Sequence, residues 1–239
     1  MRVGAVQMAI SDSLGINEEN ITCMAVEGSR RGADLLVFPE MALTGYNPEV
    51  LQAQGFRQDL DLALKRLGER ASKLGLALVV GHALWEGESL YNGATALLPT
   101  GESFTYLKLN LTEAEAPHFT PGKGPVVFRY KGRTFGLMIC RDQNYPLLAQ
   151  KLKEMGADTL LLLSAHYYPP PEARWKLDKN RALPLARAVE NSCYVVMANA
   201  VGSHLGLISL GHSLIADPEG VVVVEGDEAS ETILYADLR

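Results

Sequence analysis

The sequence predicts one α/β domain in which sheets pack face to face and helices cover the outside. Strand patterns alternate with amphipathic helical patterns near both ends of the chain. Two hairpin patterns lie between these α/β halves. No low-complexity or linker-like stretch divides the chain, so residues 1–239 are expected to form a single domain.

The first half of the chain is predicted to begin with a β-α-β unit, followed by a second helix and a third strand. Its strands are alternating or continuous apolar runs, and its second helix carries apolar residues on one face before Gly75 ends it. In chain order, the predicted elements are Arg2–Met8, Asn17–Arg31, Asp34–Phe38, Asp59–Lys73 and Leu76–Ala83.

Two hairpins are predicted in the middle of the chain. The first joins Tyr91–Leu98 to Ser103–Lys108, and the second joins Val126–Tyr130 to Thr134–Ile139. The loop between the hairpins covers about residues 109–124. Structureless loops of this length are uncommon unless they bind or gate something, so we expect this loop to have a function.

The α/β pattern resumes after Cys140. Continuous apolar runs predict buried strands between two helices, and further strands close the chain, two of them joined by an Asp-Pro-Glu-Gly turn. In chain order, the predicted elements are helix Pro146–Met155, strand Thr159–Ser164, helix Arg181–Asn191, and strands Tyr194–Asn199, Ser209–Ala216, Gly220–Val224 and Thr232–Asp237.

Composition and charge indicate a globular protein that acts on small molecules. The 239 residues are 47% apolar and 21% charged, which is ordinary for soluble globular proteins. A net charge of -6, without blocks of like charge, argues against nucleic-acid and anionic-membrane partners. No apolar run approaches the length of a bilayer and no leader pattern is evident, so we expect a cytoplasmic protein.

One of the three cysteines stands at a distinctive place, where an apolar run ends abruptly on Cys140 just before a predicted helix. Backbone N–H groups and the positive end of a helix dipole meet at such a place, which is expected to favour the thiolate. Cys140 is therefore a candidate nucleophile, although a small buried core residue is the alternative when it is taken alone. Cys23 and Cys193 fall within helical and strand patterns and are predicted to be core residues.

Two charged residues also end strand patterns. Glu40 follows a buried strand, and Lys108 ends the second strand of the first hairpin. A thiol nucleophile needs a base for its proton and a positive or hydrogen-bonding partner for the oxyanion of acyl transfer. Glu40, Lys108 and Cys140 could supply these parts, although charged residues at strand ends are also commonly exposed to solvent.

The blocks that contain these three residues carry a family resemblance. Phe-Pro-Glu ends at Glu40, Tyr-Leu-Lys ends at Lys108, and Gly-Leu-Met-Ile-Cys-Arg-Asp contains Cys140. Supporting blocks follow in order at residues 119–122, 187–196, 199–202 and 211–220. Through these blocks the chain resembles the nitrilase, or carbon-nitrogen hydrolase, superfamily over essentially its whole length, and it resembles the amidase-type branch most.

The resemblance implies a role for each matching residue. Glu40 corresponds to the general base and acid, Lys108 to the group that stabilises the tetrahedral intermediate, and Cys140 to the nucleophile. A second glutamate of the family corresponds to Glu115, with Glu113 as the alternative. The implied fold is a four-layer α-β-β-α sandwich of the nitrilase type, and the implied assembly is a homodimer or higher homo-oligomer. No cofactor is expected.

The chain departs from the family pattern at two places near the site. Arg141 replaces an aromatic residue after the nucleophile, and Asn110 replaces the usual histidine two residues after the lysine. We predict that Arg141, His166 and Tyr46 bind substrate. Arg141 could form a bidentate pair with a substrate carboxylate, or it could instead pair with a glutamate for structure.

The predicted function is hydrolysis of a small amide or N-carbamoyl compound through a Cys140 thioester, releasing ammonia or an amine and a carboxylic acid. Two alternatives compete with it. One is a catalytically silent binding or regulatory member of the same fold. The other is a metal-dependent amidohydrolase, which the scattered spacing of the five histidines does not favour. These histidines are His82, His118, His166, His204 and His212.

Overall fold

The chain folds into two six-stranded sheets that pack face to face, with helices outside each sheet. The computed structural model describes residues 1–239. This arrangement of helix, sheet, sheet and helix confirms the predicted four-layer α-β-β-α sandwich.

The first sheet contains most of the N-terminal half and is completed by the last strand of the chain. Its strands, in spatial order, are β14 (Thr232–Asp237), β1 (Arg2–Gln7), β2 (Leu35–Val37), β3 (Ala77–Glu86), β4 (Ser89–Leu97) and β5 (Ser103–Leu107). The helices of this half are α1 (Leu14–Arg30), α2 (Pro48–Leu51) and α3 (Phe56–Leu74). β14 runs antiparallel to β1, so the two ends of the chain lie side by side.

The second sheet contains the rest of the chain, apart from a small separate hairpin. Its strands, in spatial order, are β13 (Val222–Glu225), β12 (Leu214–Ala216), β9 (Tyr194–Asn199), β8 (Thr159–Ser164), β7 (Arg133–Ile139) and β6 (Val127–Tyr130). Its helices are α4 (Pro146–Glu154), α5 (Pro170–Trp175) and α6 (Leu177–Asn191). The separate hairpin consists of β10 (Val201–His204) and β11 (Leu207–Leu210).

The alternation along the strands divides the core into two layers. In β1, Val3 and Ala5 pack into the core between the two sheets, whereas Val6 packs into the core beneath α1 and α3. This is the two-residue period expected of a strand that is covered on both faces. β8 is apolar from Leu160 to Leu163 for the same reason, because a sheet and helices cover it on opposite sides.

Several element boundaries differ from the sequence prediction. α1 begins at Leu14 rather than Asn17, because the Ser13 hydroxyl caps the helix by accepting from the N–H of Ile16. α6 begins at Leu177 rather than Arg181. The short helices α2 and α5 and the β10–β11 hairpin were not predicted. Cys193 is buried as predicted, but the prediction for Cys23 is wrong because its side chain is exposed on α1.

The predicted strand Ser209–Ala216 is wrong in its middle. Gly211 and His212 have φ angles of 60° and 54°, which no strand tolerates, and they separate β11 from β12. A Cβ atom at Gly211 would lie 2.5 Å from the carbonyl oxygen of Asp227 and 2.7 Å from the side chain of Gln7. The kink therefore requires glycine both for its backbone angle and for close packing.

No helix in the structure combines the length and the apolar character needed to cross a bilayer. The structure describes one chain, and the homodimer or higher homo-oligomer implied by the resemblance stays a prediction.

Candidate active site

Three predicted residues meet at the ends of strands where the two sheets face each other. Glu40 lies just after β2, Lys108 just after β5 and Cys140 directly after β7. The Nζ atom of Lys108 lies 2.6 Å from Oε1 of Glu40. The backbone N–H of Ala165, just after β8 of the second sheet, donates to Oε2 of Glu40 and so links the two sheets at this point.

The structure brings Glu115, rather than Glu113, to the lysine. The Nζ atom of Lys108 donates to both carboxylate oxygens of Glu115, at 2.7 and 2.8 Å. Glu115 is held in its loop by Thr112, whose backbone N–H donates to the carboxylate and whose hydroxyl accepts from the N–H of Glu115. Glu113 is exposed and makes no such contact. The long loop between the hairpins thus supplies a buried carboxylate to the site.

A buried asparagine joins the two carboxylates. The Nδ2 group of Asn92, in β4, donates to Oε1 of Glu40 at 2.7 Å and to Oε1 of Glu115 at 2.9 Å. Lys108 and Asn92 together therefore hold two carboxylates close to each other in a buried place. This is a geometry that like charges would not adopt without donors between them.

Two glycines allow the backbone to approach closely behind Glu40 and Lys108. A Cβ atom at Gly81 would lie 2.4 Å from the carbonyl oxygen of Pro39 and 2.8 Å from Cα of Glu40. A Cβ atom at Gly122 would lie 2.1 Å from the carbonyl oxygen of Leu107. The backbone segments that carry Glu40 and Lys108 are therefore positioned by packing against glycine.

Cys140 occupies a strained turn that presents its side chain at the end of β7. Its φ angle is 44°, in the left-handed region that non-glycine residues rarely adopt, and a short 3-10 helix begins there. The buried carboxylate of Asp142 fixes this turn, because it accepts from the N–H of Ile139, the hydroxyl of Tyr106 and both nitrogens of Asn110. Asn110, one departure from the family pattern, thus ties the lysine segment to the nucleophile turn.

The electrostatics favour a neutral thiol beside a basic carboxylate. Burial and the charge of Glu40 raise the pKa of Cys140, although Lys108 acts against them. The sequence predicts a thiolate at this position, but the effect of burial on the pKa of Cys140 outweighs the effect of the single cation, Lys108. Burial also raises the pKa of Glu40 against the pull of Lys108. Burial would lower the pKa of Lys108, but the negative charges around it raise that pKa and keep the lysine protonated.

The pKa of Glu115 moves the other way from that of Glu40. Burial acts to raise the pKa of Glu115, but the charge of Lys108 and the hydrogen bonds from that lysine outweigh burial, so the pKa is lowered overall. The two glutamates beside one lysine are therefore pushed apart in pKa, as is common for acid-base pairs in active sites. Glu40 is the better proton acceptor of the two.

Cys140 opens into a cavity of about 260 Å³, which we call the reaction cavity. Tyr46, one of the residues predicted to bind substrate, is part of its wall. The wall is mainly apolar and aromatic around Lys108, Glu115 and Cys140. Its other lining residues are Thr112, Ala114, His118, Phe119, Ala165, Tyr167, Tyr168, His204, Leu205 and Leu207.

Two of the residues predicted to bind substrate, His166 and Arg141, do not line this cavity. His166 is buried behind Tyr168 and makes a 3.0 Å contact with the side-chain amide of Gln143. Burial lowers the pKa of His166 to about 3, so it stays neutral. Arg141 does not line the cavity, and no carboxylate lies within ion-pair distance of it, so the alternative structural pair with a glutamate is absent as well.

Sequence reasoning missed several residues that shape the site. The rings of Tyr167 and His204 pack against Tyr46, with centroids 6.4 and 6.2 Å from it, and against each other at 5.6 Å. Asn92 is recognisable in the sequence as a polar residue inside an apolar strand pattern, whereas Asp142 stands in the block that contains Cys140 without a sign of its role. No local pattern marks the β10–β11 hairpin that brings His204 over the cavity.

The metal-dependent alternative receives no support from the side-chain arrangement. It requires several of the five histidines to converge with other ligands, and no group of three or more His, Cys, Asp and Glu side chains forms such a cluster. His82, for example, is buried beside Thr95, away from the reaction cavity.

Sequence comparison establishes the family. The family model described as Carbon-nitrogen hydrolase matches residues 2–239. The chain belongs to the carbon-nitrogen hydrolase family. It is 34% identical over 221 residues to a nitrilase of Pyrococcus abyssi, an alignment that covers 89% of this chain and 79% of that protein. It is 29% identical over 226 residues to an (R)-stereoselective amidase of Pseudomonas sp., covering 94% and 80% respectively.

A solved amidase of the same superfamily shares the whole fold. The amidase of Nesterenkonia sp. AN1 superposes on all of this chain and 90% of its own, with a TM-score of 0.90 and 30% sequence identity. Further structures of that amidase show acrylamide added to its active-site cysteine and a complex with butyramide. The present chain is accordingly an enzyme, a carbon-nitrogen hydrolase of the nitrilase superfamily with amidase relatives.

Proposed function

We propose that this carbon-nitrogen hydrolase cleaves a small amide through a thioester on Cys140, releasing ammonia and a carboxylic acid. The observation that carries the proposal is the buried contact of Lys108 with both Glu40 and Glu115, next to a strained cysteine that opens into a cavity. A cation between two carboxylates beside a thiol provides the base, the charge stabiliser and the nucleophile of acyl transfer.

The first half of the reaction forms the thioester. The Cys140 sulfur attacks the carbonyl carbon while Glu40 takes the thiol proton, which suits a thiol and a carboxylate whose pKa values are both raised. The oxyanion is held by Lys108 and by the backbone N–H of Arg141, which lies in the first turn of the 3-10 helix. Glu40 then gives its proton to the departing nitrogen as the C–N bond breaks.

The second half of the reaction regenerates the enzyme. Glu40, again a carboxylate, removes a proton from a water molecule that attacks the thioester carbonyl. The tetrahedral intermediate collapses, the C–S bond breaks, and the sulfur recovers its proton from Glu40 as the acid leaves. Glu115 holds Lys108 in place throughout, because both of its oxygens accept from the ammonium group.

The space around Glu40 favours ammonia over a larger amine as the leaving group. The Glu40 side chain is 1% exposed and is surrounded by Lys108, Asn92 and the N–H of Ala165. A nitrogen substituent would have to enter this closed side of the site. We therefore favour primary amides, and N-carbamoyl compounds are the second candidates because they also end in a small –NH₂ group.

The test is ammonia release by the purified protein from aliphatic amides, ω-amides of dicarboxylic acids and N-carbamoyl acids. Cys140→Ala should abolish turnover, and Glu40→Ala or Lys108→Ala should each reduce it by about 10²-fold or more. Cys23→Ala is the matched control and should behave as wild type, because Cys23 is exposed on α1.

A trapped intermediate would test the chemistry directly. Mass spectrometry of protein quenched during turnover should show the acyl group on the peptide that contains Cys140 and on no other cysteine. Ordinary turnover by Cys140→Ala would overturn the proposed mechanism. Silence of the folded wild type on every amide would instead favour a binding member of the family that has lost catalysis.

A further inference from the structure

A second cavity adjoins the reaction cavity and shares three wall residues with it. This annex has a volume of about 150 Å³. Tyr46, His118 and Phe119 line both cavities and form the partition between them. The residues that line the annex alone are Pro48, Leu51, Gln52, Leu90 and Pro117.

No lysine, arginine, aspartate or glutamate side chain lines the annex. Leucine, proline, tyrosine and phenylalanine side chains form most of its surface. Walls of this kind stabilise apolar groups and reject ions, because an ion there would lose its water without gaining a partner. The volume of the annex is close to that of an apolar protein cavity that takes up benzene, about 150 Å³.

The charges around Cys140 also disfavour an anionic substrate. Lys108 is the only lysine or arginine in the reaction cavity, and both Glu40 and Glu115 already engage it. Burial lowers the pKa of His204, the histidine that packs on Tyr46, although Asp12 acts against this. The cavity therefore offers a substrate carboxylate no lysine or arginine that is free of acidic partners, because two carboxylates already accompany its one ammonium group.

The reacting amide group fixes which part of the substrate reaches the annex. In the proposed reaction its nitrogen faces Glu40 and Asn92, which are buried and hydrogen-bonded to each other, so a large substituent on the nitrogen would not fit there. The rest of the substrate, the acyl side chain, must extend along the open cavity, and Tyr46 and Phe119 belong to the wall that this cavity shares with the annex.

We infer that the annex receives the apolar side chain of the acyl group, so that the preferred substrates are primary amides of uncharged acids carrying a phenyl-sized substituent. This inference rests on the proposed function and specifies its substrate class. It makes Leu90 and Gln52, on the annex walls, determinants of specificity that do not touch the reacting atoms.

The competing assignment is a substrate carboxylate held by Arg141. The Nε atom of Arg141 is buried without a hydrogen-bond partner, which leaves the guanidinium available in principle. Arg141 lines neither the reaction cavity nor the annex, however.

The experiment compares kcat/KM for 3-phenylpropionamide, propionamide and succinamate, the monoamide of succinic acid. The wild type should prefer 3-phenylpropionamide over propionamide by about tenfold or more, since even one buried methylene is worth about that factor. Succinamate should be the poorest substrate of the three.

Variants that fill the annex test whether the preference for 3-phenylpropionamide depends on that cavity. Leu90→Trp and Gln52→Trp place an indole on different parts of the annex wall, and Gln52 is exposed enough to tolerate the change. Each should reduce the ratio of kcat/KM for 3-phenylpropionamide over propionamide by about tenfold, mainly through KM. Leu62→Trp, on the exposed face of α3, is the matched control and should keep the wild-type ratio.

The outcomes separate this inference from the proposed function. Cysteine-dependent hydrolysis of propionamide with no preference for the phenyl compound, or with unchanged ratios in both annex variants, would overturn the inference and leave the amidase standing. Preference for succinamate, lost in Arg141→Met, would overturn it in favour of the carboxylate assignment. Ammonia release from other amides or from N-carbamoyl acids, but from none of these three, would overturn this inference alone, whereas silence on every one of these compounds would refute both proposals.

Discussion

Replacing Lys108 by methionine tests the electrostatic core of the site most directly. The ammonium group lies 2.6 Å from Glu40 and 2.7 Å from Glu115, and the lysine side chain is only 1% exposed. Lys108→Met removes the cation while keeping much of the side-chain volume. Two buried carboxylates then face each other with Asn92 as their remaining shared donor.

The expected cost follows from burial. Removing one partner of a buried ion pair typically destabilises a protein by about 3–5 kcal/mol, because it leaves an uncompensated charge. For a chain of this size, each 1 kcal/mol lowers Tm by roughly 2–4 °C, so a decrease of about 6–20 °C is expected. Amide turnover should fall by about 10²–10³-fold, as when one oxyanion donor is lost.

The destabilisation should depend on pH in a defined direction. In the wild type the pKa of Glu115 is lowered, because Lys108 outweighs the opposing effect of burial. A lowered folded-state pKa contributes stability above the unfolded-state pKa, near 4.3, and that contribution is lost as pH falls through the folded-state value. Without Lys108, burial would raise the pKa values of both glutamates. The stability deficit of the variant should therefore be largest at neutral and alkaline pH and smallest near pH ~4.

The assay is thermal unfolding by circular dichroism at a low and a neutral pH, together with ammonia release. Lys151→Met, on an exposed pair of α4, is the matched control and should change Tm little. Adding Glu115→Gln to Lys108→Met should recover part of the stability and none of the activity. A Tm within ~2 °C of wild type at neutral pH would refute the reasoning, because it would mean that the carboxylates do not need the cation.

Three further predictions concern the framework of the site. Gly81→Ala should lower kcat by about tenfold or more, because its Cβ would lie 2.4 Å from the carbonyl oxygen of Pro39; steady-state kinetics with an unchanged kcat would contradict this. Asp142→Asn should also lower kcat, because the new amide nitrogen would face donor groups that now point at the carboxylate. Tyr106→Phe removes only one of these donors, the tyrosine hydroxyl, and should lower kcat less. Iodoacetamide labelling of Cys140, measured against Cys140→Ala, should accelerate with a midpoint above that of an ordinary thiol at pH ~8.5, and full reactivity already at pH ~7 would contradict the raised pKa.

Local pattern was sufficient to place the strands that carry the chemistry. Buried strands are short apolar runs, and a residue that follows such a run lies near the end of a strand. This rule places Glu40 and Cys140 at strand ends. The layer arrangement also follows from periodicity, because strands buried on both faces need cover on both sides. The family resemblance assigned the catalytic roles to Glu40, Lys108 and Cys140 and identified Glu115 as the second glutamate.

Contacts between distant segments were not predictable in the same way. Arg141 is adjacent to Cys140 in sequence, yet the left-handed φ of Cys140 turns the chain so that neighbours in sequence do not share the cavity. His204 reaches the cavity on the β10–β11 hairpin, and Gly211 and His212 separate that hairpin from β12 where the sequence predicts one continuous strand. Such placements depend on backbone angles and close packing at single residues, which hydrophobic periodicity does not encode.

The pairing of β14 with β1 has a consequence for how the protein is made. Residues at opposite ends of the chain occupy neighbouring strands, with Arg2 opposite Asp237 and Gln7 opposite Thr232. During synthesis, the edge of β1 that pairs with β14 therefore stays unpaired until β14 has been made, and such edges invite pairing with other chains. Contacts of this sequence separation also slow folding. Deletion of the last strand should accordingly affect solubility during expression more than a deletion of equal length in a surface loop.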